Sequence, residues 1–286
     1  MKKYFSLVLF AHTIFAMPFA FIGFFLAITT TTHRFNWLLM VFMILCMIFA
    51  RNAAMAFNRY LDSDIDAQNE RTVIRDIPSG KISSREALIF TIINCLLFII
   101  TTVFINRLCL YLSPVALLVV LGYSFTKRFT PLCHLILGLG LSLAPIGAYL
   151  VVTGEFNIVP IFFSLAVLCW VSGFDIIYAL QDEEFDRANN LKSIPSWLGA
   201  KRALKVSTFL HVLTILFITL PMFYTSLSWF YLAGIFFFIL LLVYQHQLVK
   251  PKDLSKINRA FFTTNGIASV VFALFFLLDV YLRNQF

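Results

Sequence analysis

Apolar residues run along this chain in long blocks without period-2 alternation, and each block is closed by a short polar or charged segment. A membrane-crossing helix needs roughly 20 mostly apolar residues. That length predicts nine spans, at about 5–29, 37–58, 87–106, 108–125, 131–152, 157–180, 203–223, 227–249 and 262–282. Transmembrane strands are excluded, because they are short and alternate in polarity along their length. The third and fourth blocks are parted only by Asn106-Arg107, which predicts a tight hairpin. No Pro-, Gly- or Ser-rich linker interrupts the blocks, so the expectation is a single domain over residues 1–286.

Composition removes the soluble readings. Of 286 residues, 60% are hydrophobic and 13% charged, against roughly 45–50% and 25% in ordinary globular domains. A soluble chain of this size has no way to hide so much apolar surface, so the bilayer is its main solvent. The five cysteines (Cys46, Cys95, Cys109, Cys133, Cys169) all fall in or beside apolar blocks and form no C-x-x-C, which predicts apolar filler and neither a disulfide framework nor a metal site.

Charge then sets orientation. With connections assigned alternately, 18 Lys and Arg fall on one side, three (Arg34, Arg107, Arg283) on the other, and Arg51 inside the second span. The positive-inside rule predicts a cytoplasmic N-terminus and a C-terminus on the opposite side, in a membrane of the bacterial inner (plasma) type. The net charge of +8 is an orientation signal and an attraction for anionic lipid. No soluble basic platform exists for nucleic acid, and nothing in the sequence calls for an obligate protein partner.

The acids are concentrated. Residues 62–86 and 175–186 hold 11 of the 14 Asp and Glu, at the cytoplasmic ends of the second and sixth spans. Asn58, Asp62 and Asp66 recur at i, i+4, i+8, and Asp175, Tyr178, Asp182 and Asp186 at i, i+3, i+7, i+11, so each set shares one helical face. Asp62 and Asp182 are 120 residues apart, as are Asp66 and Asp186. Four spans separate the copies, so both reach the same membrane side and predict one shared site. Like charges a turn apart repel. Mg²⁺, which takes oxygen ligands from one or two carboxylates together with substrate phosphates, answers that repulsion. Arg71 and Arg75 follow the first cluster, Lys127-Arg128 end the fourth span, and Lys192 follows the second cluster. Carboxylates rimmed by Arg and Lys describe a magnesium–diphosphate site.

These residues resemble a known family. Asn58-x₃-Asp62-x₃-Asp66 and Asp175-x₂-Tyr178-x₃-Asp182-x₃-Asp186 look like the two aspartate-rich motifs of the UbiA superfamily of intramembrane aromatic prenyltransferases. Supporting blocks stand in order: Arg71-Thr72, Arg75-Asp76-Ile77-Pro78-Ser79-Gly80, Tyr123-Ser124-Phe125-Thr126-Lys127-Arg128, Ala144-Pro145-Ile146-Gly147-Ala148 and Ser193-Ile194-Pro195. The likeness is to the branch acting on 4-hydroxybenzoate in quinone biosynthesis. It implies nine transmembrane helices around a central cavity with a cytoplasmic cap, Mg²⁺ as cofactor, a polyprenyl diphosphate donor and an aromatic acid acceptor. Two departures stand out. Arg59 occupies a position commonly acidic, and His12 one where many relatives carry arginine.

On that reading Asp62, Asp66, Asp182 and Asp186 hold metal, with Asn58 as a neutral ligand, while Arg71, Arg75, Lys127, Arg128 and Lys192 meet the diphosphate. Tyr178 presents its π-face to the allylic cation. Arg51, two turns deeper than Asn58, pairs with the acceptor's carboxylate or with Asp175. Asp175 is the general base or that partner, and His12 belongs to the acceptor site. His134 and the remaining histidines are expected to be structural. The same chemistry on a naphthoate is the nearest alternative. A secondary transporter is the alternative from another class, and the acids at the rim instead of the midplane speak against it.

Overall fold

The computed structural model describes residues 15–251 and 253–283. Within them the chain is helical apart from turns and one isolated bridge between Lys250 and Asp253. The helices are α1 Met17–Thr30, α2 Trp37–Leu61, α3 Ser63–Gln68, α4 Ser84–Val103, α5 Arg107–Thr126, α6 Cys133–Thr153, α7 Ile158–Ala179, α8 Glu183–Ala188, α9 Ile194–Leu198, α10 Ala200–Thr219, α11 Trp229–Leu248 and α12 Asn265–Arg283, the last preceded by a π-helical segment Arg259–Thr264. Eight are long and apolar enough to cross a membrane. Of the first expected span only the 14-residue α1 is described. His12 lies outside the described residues.

Polar caps explain where the spans begin. Asn36 accepts from Leu38 N–H at 2.9 Å, Asn106 from Cys109 N–H at 2.8 Å and Asn157 from Val159 N–H at 3.0 Å. Each satisfies donors that a helix N-terminus leaves unpaired. Ser83 and Glu86 form a reciprocal capping box, which starts α4 at Ser84 and draws Arg85 and Glu86, earlier assigned to a connection, into the helix.

The bundle's core is aromatic, with Phe19, Phe163, Trp170, Phe238, Phe272 and Phe276 fully buried. Trp170 keeps its indole N–H satisfied by Asn265 Oδ1 at 3.2 Å. Helices α6 and α7 approach closely at Gly138, where a Cβ would strike Ser172 Oγ and Leu168 O. The cysteines are unpaired, as expected, and only Cys169 is fully buried.

The connections sort to two ends. At one end Asn106 Nδ2 donates to Leu150 O at 2.8 Å. There also Asp279, fully buried, accepts from Ser228 N–H at 3.0 Å and pairs with Arg283. At the other end residues 62–83, 127–132 and 180–199 are tied together: Lys127 to Asp62, Arg71 to Asp182, and Lys192 N–H to Lys127 O at 2.7 Å. The two acidic clusters therefore meet at one end of the bundle.

Candidate active site

Both motifs sit on interrupted helices and not on the continuous faces that their spacing suggests. Asp62 has φ −91°, ψ 6°, between α2 and α3, and Asp182 closes a 3₁₀ turn (Leu180–Asp182) before α8, with φ −104°, ψ 4°. Each stands at the N-cap of a six-residue helix, yet neither side chain caps it. The carboxylates are used elsewhere. The i+4 register survives the first break, since Asp62 N–H bonds Asn58 O at 2.9 Å and Asp66 N–H bonds Asp62 O at 2.7 Å. Asp64, off that register, is exposed.

Asp62, 2% exposed, accepts from Lys127 Nζ at 2.8 Å, Arg128 Nη2 at 3.0 Å and Asn58 Nδ2 at 3.0 Å. Asp66, 3% exposed, takes both oxygens' bonds from Arg75 Nη1, at 2.7 and 2.8 Å. Asp182 receives the fork of Arg71, Nε at 3.1 Å and Nη2 at 2.6 Å, with Asn69 Nδ2 at 3.3 Å. Charge-assisted and forked bonds of this kind are the strong ones. Burial works to lower the Arg71 pKa, but the bonds and charge of Asp182 outweigh it and raise the guanidinium above its ordinary value. The Arg71 carbon also stands 5.6 Å from the centre of the Tyr178 ring, which in turn stacks on Phe261 with centroids 4.1 Å apart.

Beneath these pairs lies a cavity of about 730 Å³, within the size range of ligand sites. Arg51, Asn58, Asp62, Asp66, Arg71, Arg75, Lys127, Asp175, Tyr178, Asp182 and Asp186 all line it, and Met43, Met47, Leu112, Leu141, Ala144 and Phe174 give it an apolar interior. One chamber thus joins a polar, charged rim to a hydrophobic depth. Among the described residues no group of three or more His, Cys, Asp and Glu is placed to share one ion. The acidic donors are all oxygen, in pairs set by two motifs. That suits Mg²⁺, which binds through one or two carboxylates and completes its shell with phosphate oxygens and water.

Two expected diphosphate contacts are placed differently. Arg128 is absent from the cavity wall and is occupied by Asp62, Leu61 O at 2.9 Å and Ser124 O at 2.9 Å, so it positions Asp62. Lys192 has an exposed side chain outside the wall and contributes its backbone N–H instead. Asp175 is bonded by His134, Nδ1 to Oδ2 at 2.7 Å. A histidine at the end of an apolar block gives no functional signal until α6 and α7 are paired, which is why the sequence alone points to a structural His134. Tyr123, which opens the block ending in Lys127-Arg128, and Phe261, which no motif marks, also line the cavity. Arg59 lines it too, with Nη1 buried and without a hydrogen-bond partner among the described residues.

The UbiA prenyltransferase family matches residues 16–276. A 4-hydroxybenzoate octaprenyltransferase of Aliivibrio salmonicida is 32% identical over 250 residues, 83% of each chain. One of Francisella tularensis subsp. novicida is 30% identical over 79% of each. Among solved structures, a UbiA homologue from Aeropyrum pernix K1 superposes with TM-score 0.82 at 28% identity, covering 94% of this chain and 98% of that one. A UbiA homologue from Archaeoglobus fulgidus, bound to GPP and Mg²⁺, gives 0.75 at 22% identity, covering 98% and 99%, a likeness of fold alone.

Proposed function

The chain belongs to the UbiA prenyltransferase family, and from that premise we propose that it transfers a polyprenyl group from an allylic diphosphate to an aromatic acid, 4-hydroxybenzoate, in quinone biosynthesis, with Mg²⁺ as cofactor. The observation carrying this reading is the single cavity in which cation-paired carboxylates from two motifs stand over an apolar chamber. Such an apolar depth beneath a charged rim suits a polyprenyl tail attached to a diphosphate.

Bound Mg²⁺ would be held by Asp62, Asp66, Asp182 and Asp186 and would supply positive charge to the diphosphate. The chain's own residues do the rest. Arg71, Arg75 and Lys127, each now neutralising a carboxylate, are already at the rim and offer N–H donors to diphosphate oxygens. Arg128 keeps Asp62 in place from behind. Tyr178, held in the cavity wall by its stack on Phe261, would offer its π-electrons to the allylic cation. The apolar wall excludes water from an allylic cation, which favours capture by the ring carbon next to the phenol hydroxyl. Arg51, within the apolar wall, is suited to the acceptor's carboxylate. The acceptor contact expected of His12 is part of the same proposal.

The 18-to-3 basic split supports a cytoplasmic cap and N-terminus with the C-terminus opposite, and the lack of a Pro-, Gly- or Ser-rich linker supports residues 1–286 acting as one unit. The test is direct. Membranes carrying the protein, given geranyl diphosphate, Mg²⁺ and a panel of hydroxybenzoates and hydroxynaphthoates, should yield prenylated 4-hydroxybenzoate by mass spectrometry. Prenylation of a naphthoate alone would move the acceptor assignment, and no product from any acid would refute the reaction class.

A further inference from the structure

His134 is the second residue of α6, 3% exposed, and part of the cavity wall. Its Nδ1 meets Asp175 Oδ2 at 2.7 Å and its Nε2 meets the Ile194 N–H at 3.3 Å. A backbone N–H only donates, so Nε2 carries the lone pair and the ring proton sits on Nδ1, pointing at the carboxylate. The imidazole is thus neutral and of one tautomer. Its backbone is fixed as well, since Ser172 Oγ donates to His134 O at 3.1 Å, on the close α6–α7 contact made possible by Gly138. Three elements converge on one ring: the first turn of α6, the last turns of α7, and the Ser193-Ile194 segment that starts α9.

The other cavity carboxylates with ion pairs differ in kind. Asp62, Asp66 and Asp182 each face a lysine or arginine. A cation at hydrogen-bond distance opposes proton uptake by a carboxylate, and a neutral imidazole N–H does so far less. Asp175, which faces an imidazole in place of a lysine or arginine, is therefore suited to receive a proton, whereas Asp186, the remaining wall carboxylate of that motif, is assigned to metal.

We infer that His134 is a positioning residue that holds Asp175 ionised, in the correct rotamer, as the acceptor of the ring proton. The inference rests on the prenyltransferase reading. The allylic C1–O bond breaks and its pair leaves with the diphosphate. A π pair of the ring forms the new bond from the carbon beside the hydroxyl to C1. The C–H pair at that carbon restores aromaticity, and its proton passes to Asp175. His134 neither gains nor loses a proton.

The test compares wild type with His134→Ala, His134→Asn and His134→Gln, using geranyl diphosphate, Mg²⁺ and 4-hydroxybenzoate bearing H or D beside the hydroxyl. Asparagine returns a donor near Nδ1; glutamine reaches only the Nε2 position. General-base assistance is worth about 10²–10⁴-fold, so loss of its positioning should lower kcat of His134→Ala about 10–100-fold, with KM for geranyl diphosphate within about twofold. Ring deuteration should slow that variant more than wild type, because proton removal becomes limiting. Asparagine should recover kcat to within about threefold and glutamine should not. Binding of the unreactive thiolodiphosphate analogue of geranyl diphosphate and the thermal unfolding midpoint should both stay close to wild type in all three, which reports an intact donor site and fold.

Unchanged kcat in His134→Ala, asparagine no better than alanine, or binding of the donor analogue lost along with transfer would overturn the inference. Independently of turnover, the ¹⁵N spectrum of histidine-labelled protein should show His134, assigned by its loss in His134→Gln, as the neutral Nδ1–H tautomer. An imidazolium signal there contradicts it. Absence of product from wild type removes the prenyltransferase reading and this inference with it.

Discussion

Asp62 is the residue whose loss the site should tolerate least. Its carboxylate is 2% exposed and is shared by Lys127 at 2.8 Å and Arg128 at 3.0 Å. Replacing it with asparagine keeps the shape and leaves two cations facing a neutral group. Removing one partner of a fully buried pair costs about 3–5 kcal/mol. Here the Lys127 and Arg128 side chains keep 29% and 31% exposure, so solvent screening brings the stability loss to about 1–3 kcal/mol. The loss in catalysis is separate. Without the carboxylate, Lys127 and any metal at the first motif lose their anchor opposite the leaving diphosphate, worth about 3–5 kcal/mol of transition-state stabilisation by the scale of a single lost electrostatic contact or metal ligand. At 1.36 kcal/mol per tenfold, that is about 10²–10⁴ in rate. Single-turnover prenyl transfer in detergent, paired with thermal unfolding of the same samples, separates the two effects. Asp64→Ala is the internal control, because Asp64 is exposed and off the 58–62–66 register. A fully active Asp62→Asn, or an Asp64→Ala as damaging as its neighbour, would refute the reasoning.

Other expectations follow from the same geometry. Asp62→Ala and Asp182→Ala should be strongly non-additive, the double variant losing little more than either single one in turnover assays, since residues acting as a unit fail together. Excess EDTA should abolish transfer and added Mg²⁺ restore it; full activity under chelation contradicts the assigned donor set. Cysteines placed at the exposed positions Asp64 and Glu184 should both label from the cytoplasmic side in cells, and labelling from opposite sides would separate the two clusters. Gly138→Val should lower thermal stability by about 1–3 kcal/mol through overpacking between α6 and α7, read by unfolding in detergent.

Much of this was legible in the sequence because membrane spans and charged clusters leave long-period signals. The 120-residue offset placed Asp62 and Asp182 in one site before any helix was paired, and both line the cavity. What the sequence concealed lies in contacts between distant elements. Spacing alone made Asn58, Asp62 and Asp66 a continuous face, whereas the chain breaks at Asp62 and again at 180–182, turning both carboxylates inward. Basic residues beside an acidic motif all look alike in one dimension. Only the packed loops show that Arg71 crosses to Asp182, that Arg128 supports Asp62 from outside the chamber, and that Lys192 contributes backbone. His134 carried no periodic signal, since its partners stand 41 and 60 residues away.

The central claim is that both acidic motifs serve one diphosphate. Calorimetric titration with the unreactive thiolodiphosphate analogue of geranyl diphosphate, in Mg²⁺, tests it without turnover. The account predicts one bound analogue per chain and loss of that binding in Asp62→Asn and in Asp182→Asn alike. Undiminished binding in either variant, with the protein folded, would contradict a shared site.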